Sequence, residues 1–290
     1  MMLSPDSITL ERLNMKVYVE PIGGLCNRMR VIASAYQLIR PQNGKLIVKW
    51  TANEELNCPA KALFSLPRGI RVVDVTGGDN LAAKLAYYRL RLGYRHRVGN
   101  DQVMQAKQAG NLIPQDKTYY ETCETFHRDS RDVDCSIFTP APELEALARK
   151  KIEKITQGGR HPVIGLHIRR TDHSVSIRQS PTELFCQVLE ARLGENPDTR
   201  FYLATDDGSL RQFFADKYNR DKEIVFFNDC EALSRDTAEG IRAAFVELLT
   251  LSMTQRIYGS CGSSYTDMAA AMGHIPLDYV TLDAMEGILK

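Results

Sequence analysis

Residues 163–172 read Val163-Ile164-Gly165-Leu166-His167-Ile168-Arg169-Arg170-Thr171-Asp172. Small and apolar residues lead without a polar break into a histidine, two arginines and an aspartate. A short apolar run of this kind is a strand buried on both faces, as in a parallel sheet. Its polar end is then the carboxyl edge of that sheet, where open α/β sheets bind ligands. Adjacent guanidiniums at such an edge repel each other unless an anion lies between them, and a diphosphate suits the position. The plainer reading is a pair of surface ion pairs, with Asp172 as a ready partner.

The pattern around this run extends the same architecture. Strands near 163–168, 200–205, 223–227 and 256–259 alternate with helices near 181–193, 208–219, 238–253 and 265–272, after a helix at 142–156. This rhythm gives a parallel sheet with helices on both faces. The first half shows strands near 16–20, 46–50 and 70–75, with a helix over 27–39. Leu81, Leu85, Tyr88 and Leu92 form a further apolar stripe at helical spacing. Residues 93–142 mix Tyr, Asp and Thr and read as loops and short pieces that shape an acceptor site. The expectation is an α/β chain of two Rossmann-like domains, 16–150 and 151–290, that change over between 139 and 162. Residues 1–15 read as a loose extension.

Composition narrows the class. The chain has 290 residues, 43% of them apolar and 25% charged, and a formal charge of +1. That balance gives no global push toward nucleic acid or membrane. The longest apolar stretch, 245–253, is far shorter than a membrane span and carries Glu247. Seven cysteines, an odd number without a CxxC pair, argue against a disulfide framework or a zinc site and for a reducing compartment. With no secretory pattern in residues 1–14, a cytoplasmic protein is expected.

Three further motifs sit at predicted strand ends. Gly23-Gly24-Leu25-Cys26-Asn27-Arg28-Met29-Arg30 joins the first strand to the first helix, where glycines admit a ligand to the backbone N–H groups. Asn27 suits the helix cap, and Arg28 and Arg30 suit solvated helix charges. Ala204-Thr205-Asp206-Asp207-Gly208 offers either a helix cap or a pair of carboxylates for Mg²⁺. Positive charge from Arg169 and Arg170 makes such a metal redundant. Gly259-Ser260-Cys261-Gly262-Ser263-Ser264-Tyr265 opens a helix with hydroxyls and free N–H groups, an anion cradle. Glu247 is either solvent-facing or accepts hydrogen bonds from a purine or ribose, and His167 is either a core histidine or a group that orients the arginine fork.

Taken in order, these stretches resemble the GDP-fucose-dependent fucosyltransferase superfamily, which includes α1,2-, core α1,6- and protein O-fucosyltransferases and the nodulation fucosyltransferases. His167-Ile168-Arg169-Arg170-Thr171-Asp172 is the most specific element, and the resemblance spans roughly 17–40 and 160–273. It implies a GT-B-like fold, with the nucleotide held mainly by the C-terminal domain. It also implies an inverting, metal-independent transfer of L-fucose from GDP-fucose to a glycan or other hydroxyl acceptor, without a cofactor. On this resemblance Arg169 grips the diphosphate and helps GDP leave, and His167 and Arg170 line the same site. Gly24 and Asn27 match the loop over the donor, with Gly23 beside them as a further binding candidate, Asp206 and Asp207 match an aspartate pair, Ser263 and Ser264 the phosphate-contacting hydroxyls, and Glu247 an acidic residue that reads guanine or ribose. Two departures stand out: Cys26 replaces a small residue, and no carboxylate follows Asp172 in Ser174-Val175-Ser176-Ile177. The base then falls to His173 or Asp172, with Glu20 and His127 behind them.

Other readings remain open at this level. The same fold can use another nucleotide sugar, or keep the pocket without the chemistry. Tyr87-Tyr88-Arg89-Leu90-Arg91-Leu92-Gly93-Tyr94-Arg95-His96-Arg97 mixes aromatics with arginines, as nucleic-acid surfaces do. Near-neutral net charge disfavours nucleic acid as a partner. The milder expectation is a peripheral contact with an anionic or lipid-linked acceptor at the inner membrane face.

Overall fold

The computed structural model of the protein describes residues 15–76, 81–110, 112–129, 132–171, 174–228 and 236–289. The first half runs β1 (Lys16–Pro21), α1 (Leu25–Ile39), β2 (Lys45–Ala52), β3 (Phe64–Ser65), β4 (Ile70–Thr76), α2 (Leu81–Arg91), β5 (His96–Val98), α3 (Asn100–Gln108), β6 (Thr118–Thr122) and β7 (Thr139–Pro140). The second runs α4 (Pro142–Thr156), β8 (Val163–Ile168), α5 (Ser174–Gln179), α6 (Thr182–Glu195), β9 (Arg200–Thr205), α7 (Gly208–Tyr218), β10 (Val225–Phe226), α8 (Ala238–Ser252), β11 (Ile257–Gly259), α9 (Ser264–Gly273), β12 (Leu277–Tyr279) and α10 (Met285–Ile288).

Two parallel five-stranded sheets result, ordered β4-β2-β1-β6-β5 and β10-β9-β8-β11-β12, and β3 pairs antiparallel with β7. The strand expected from residues 163–168 is the middle strand of its sheet. Val163 joins the core on the α8 and α9 side, while Leu166 and Ile168 pack on the other side with Phe185, Val188 and Phe214. Both faces are covered, so the apolar run is unbroken. Gly165 has no room for a side chain: a Cβ there would lie 2.6 Å from Leu251 Cδ1 of α8 and 2.8 Å from Thr254 Oγ1 just after it. Gly165→Ala is therefore expected to destabilise the fold by about 1–3 kcal/mol through overpacking, read as a lower midpoint of thermal unfolding.

In the first sheet Val17 and Val19 face α1, with Met29 and Ile32 against them. Tyr18 faces the opposite way and packs with Tyr119 and Leu90. The two halves share one apolar core beneath the cleft between them, where Phe64 meets Phe138 at 4.8 Å and Phe245 at 5.9 Å. The boundary expected at residue 150 falls inside α4, whose Leu144, Ala148 and Ile155 are buried.

Two expectations are corrected, for residues 93–142 and for the start of α1. Residues 93–142 are not merely loops: β6 pairs with β1 in the sheet interior, in register Tyr18↔Tyr119. Buried tyrosines and threonines build it without a polar–apolar alternation that the pattern could show. The stripe Leu85, Tyr88 and Leu92 lies on the outer side of α2, at 52%, 70% and 82% exposure, while Leu90 packs inward. Helix α1 starts before Asn27, with Gly24 as its cap. No helix among the described residues is long and apolar enough to cross a membrane.

Candidate active site

The carboxyl ends of β8, β9 and β11 converge on a cavity of about 450 Å³ that the N-terminal half closes from across the cleft. Nine of the residues singled out in the sequence line it: Gly23, Gly24, Asn27, His167, Arg169, Asp206, Glu247, Ser263 and Ser264. Two others, Arg170 and Asp207, do not.

The two arginines follow the end of β8, and different partners separate them. His167 and Arg169 project toward the cavity. Arg169 Nη1 lies 2.8 Å from Asp206 Oδ2. Arg170 turns to the start of α6, where it donates to Ser180 O at 3.0 Å and Thr182 Oγ1 at 2.9 Å, and to Arg169 O at 2.8 Å. The expected two-guanidinium clamp is thus one guanidinium in the cavity and one structural tie, and their repulsion is relieved by separate partners. Asp207 caps α7, accepting from Ser209 N at 2.9 Å. Asp206 is the hub of the edge: its Oδ1 accepts from Arg170 N at 2.8 Å and its Oδ2 from Thr171 Oγ1 at 2.6 Å. Ser260 Oγ accepts from Arg169 N at 3.0 Å, so the backbone that presents Arg169 is held from both neighbouring strands. Asp172 and His173 lie outside the described residues.

Two helices begin at the cavity. Gly24 caps α1, and Gly23 beside it sits at φ +83°, a left-handed conformation that favours glycine. Arg28, expected as a solvated charge, is fully buried and fastens this loop. It donates to Gly23 O at 2.7 Å, Thr51 O at 2.5 Å and Asn53 Oδ1 at 2.7 Å, with its guanidinium 5.2 Å from the Trp50 ring centre. Helix α9 starts at Ser264 with Ser263 as its cap. Both helix starts bring free N–H groups and the positive end of the helix dipole toward the cavity, which favours an anion.

His167 is 4% exposed, stacks on Tyr265 at 4.8 Å and shares a 2.5 Å hydrogen bond between Nδ1 and Thr266 Oγ1. Burial pushes its pKa down to about 3, with Arg169 and Arg170 adding to the effect and Asp206 opposing it. It is a neutral imidazole that shapes the wall. Glu247 is 3% exposed. Its Oε2 accepts from Tyr265 Oη at 3.2 Å, and Arg211 lies 3.7 Å from Oε1. Among the described residues Oε1 has no hydrogen-bond partner. Burial pushes this carboxyl up to about 7, against the pull of Arg211 and the Tyr265 hydroxyl. Of the two readings of Glu247, solvent exposure is excluded.

Arg30, expected as a solvated helix charge, lines the cavity one turn after Asn27 on the same helix face. Three cavity residues escaped the sequence reading. Ile241 and Ala244 share Glu247's face of α8 at the same spacing. Glu55, whose Oε2 accepts from Gly23 N at 2.9 Å, carries no local signal at all. Of the remaining base candidates, Glu20 accepts from Lys49 at 2.8 Å, from Thr51 at 2.9 Å and from Tyr119. These donors outweigh burial and lower its pKa, which makes it a poor base. His127 lines no part of the cavity. Among the described residues no three His, Cys, Asp or Glu side chains are placed to hold a metal ion.

No family model matches the chain. Solved structures do. NodZ α1,6-fucosyltransferase soaked with GDP-fucose is similar at TM-score 0.60 and 16% identity, over 92% of this chain and 96% of that one. A variant of Arabidopsis thaliana FUT1 in complex with GDP is similar at TM-score 0.60 and 12% identity, over 91% of this chain and 69% of that one. POFUT1 in complex with GDP is similar at TM-score 0.58 and 9% identity, over 92% and 98%. The chain therefore has the GT-B-like α/β fold of these fucosyltransferases.

Proposed function

We propose that the protein is an inverting glycosyltransferase that moves L-fucose from GDP-fucose to a hydroxyl of a glycan-type acceptor. The observation that carries this reading is a single cavity lined by Arg169, by the starts of α1 and α9, and by a buried carboxylate oxygen without a hydrogen-bond partner, Glu247 Oε1. The first group suits a diphosphate. The second suits a base edge with two adjacent N–H donors, which guanine has and uracil lacks. Likeness to enzymes solved with GDP or GDP-fucose supports the same assignment.

In the reaction the bond from C1 of the sugar to the diphosphate oxygen breaks, and its electron pair leaves with GDP. A hydroxyl oxygen of the acceptor bonds to C1 from the opposite face and gives up its proton. Arg169 and the N–H groups of Ser263 and Ser264 stabilise charge as it grows on the diphosphate, with no need to reorganise. Positive charge from these groups lets the reading dispense with a divalent metal. His167 stays neutral and holds Thr266 at the start of α9. Asn27 and Arg30 face the donor from the N-terminal half. His173 or Asp172 takes the acceptor proton. Arg170 and Asp207 act on the backbone that carries Arg169 and α7 rather than on the donor.

Thermal unfolding with GDP, UDP, GDP-fucose and GDP-mannose tests the donor. Ligand at a hundred times its Kd adds about 2.7 kcal/mol to stability, a clear rise in the midpoint. GDP and GDP-fucose are expected to raise it well above UDP at equal concentration. An equal response to UDP would assign the pocket to another nucleotide sugar. Tight GDP-fucose binding without any GDP release would make the protein a binding module.

A further inference from the structure

Helix α2 and its continuation lie between the two edge strands of the first sheet, β4 and β5. Residues 81–100 contain no Asp or Glu, while Lys84, Arg89, Arg91, Arg95 and Arg97 are all cationic in a chain whose formal charge is only +1. Leu85, Tyr88 and Leu92 follow one face of α2 and its continuation at 52%, 70% and 82% exposure. Large apolar residues that exposed, repeated at helical spacing and flanked by arginines, are the pattern of a helix lying in a lipid interface.

The inner face of α2 is firmly seated, so the outer face cannot turn inward. Leu90 is 5% exposed and packs on Tyr18 and Tyr119. Tyr94 stacks on Tyr119 at 4.6 Å, and a Cβ on Gly93 would lie 2.2 Å from Tyr18 Oη. Arg97 is paired with Glu121, and the Arg91 guanidinium lies 5.0 Å from the Tyr94 ring centre. Among the described residues Arg89, Arg91 and Arg95 have no carboxylate partner. The charge on this face is left for an external anion.

We propose that Leu85, Tyr88, Arg89, Arg91, Leu92 and Arg95 form a peripheral docking surface for an anionic lipid bilayer. The arginines meet the headgroup phosphates, and the two leucines and Tyr88 enter the headgroup–acyl boundary. Helix α2 covers the sheet face opposite α1, which carries Gly23, Gly24 and Asn27 into the cavity. Docking by α2 thus leaves the cavity open, and it sets the first half of the molecule against an acceptor held at the membrane surface.

Flotation of the whole protein with phosphatidylcholine vesicles, with and without phosphatidylglycerol, tests the surface. Binding is expected only with phosphatidylglycerol, and is expected to weaken as salt rises. Each arginine contributes roughly fivefold to partitioning, so the triple variant Arg89→Gln, Arg91→Gln, Arg95→Gln is expected to lose about 100-fold. Leu92→Ser should weaken binding with the arginines intact. The GDP-induced rise in thermal midpoint should be the same in all variants, which separates this surface from the donor site. Failure to bind phosphatidylglycerol vesicles, or a triple variant that binds like the parent, overturns the proposal. So does a dimer that Leu92→Ser dissociates, which would assign the face to a second copy, or tighter binding to single-stranded RNA than to the vesicles.

Discussion

Arg169→Lys is expected to lower turnover of GDP-fucose by about 10²–10³, the loss of roughly 3–4 kcal/mol of transition-state stabilisation seen when one preorganised donor to a developing anion is removed. Lysine keeps the charge, and an ion pair with Asp206 remains open to it. What it loses is the planar fork that reaches two oxygens at once. Because Asp206 and Ser260 hold the backbone at this edge through Arg170 N and Arg169 N, the side chain can change without the strand end moving. The variant should therefore unfold near the parent temperature, and GDP release should fall mostly through kcat. Arg170→Lys is the control. Its guanidinium ties β8 to α6 through Ser180 O and Thr182 Oγ1, so this variant should lose stability and retain most of its turnover. The reverse pattern, with Arg170→Lys slow and Arg169→Lys active, would place the wrong arginine in the cavity.

The contrast between these two arginines marks how far the sequence could be read. Periodicity located β8, β9, β11 and the helices after them, because a parallel sheet covered on both faces writes long apolar runs into the chain. Periodicity ends at Ile168 and could not orient Arg169 and Arg170, whose directions are set by partners distant in sequence, Asp206 for one and Ser180 and Thr182 for the other. Helix α2 shows the opposite limit. A stripe at helical spacing reports that one face is apolar, not whether protein covers it, and Leu85, Tyr88 and Leu92 prove to be outside. Strand β6 and Glu55 were hidden for different reasons: the strand is short and built of tyrosine and threonine, and Glu55 reaches the cavity only through the long loop after β2.

Glu247→Gln is expected to stabilise the unliganded protein and weaken its hold on GDP, two effects of opposite sign from one atom. The carboxyl is buried and its folded pKa, about 7, stands above the ordinary 4.5. Between these values the folded chain binds a proton that the unfolded chain has released. Stability on this account falls as pH rises from 4.5 through 7, and the penalty is constant above. Glutamine never ionises, so the variant should lead the parent above pH 7 by about 2–4 °C for each kcal/mol of penalty removed, and match it near pH 4.5. Guanine would supply the donors that Oε1 lacks, and hydrogen bonds to a charged acceptor contribute about 1.5–3 kcal/mol. Loss of the charge should then weaken GDP by roughly 10–100-fold at pH 8. Parent affinity should decline as pH falls below 7, toward that of the variant, while the variant stays flat. A purely structural Glu247 would give the gain in stability without the loss in affinity, so calorimetric titration of GDP into both proteins at pH 6 and pH 8 decides the matter. UDP, with a single N–H at its base edge, should bind both proteins nearly alike.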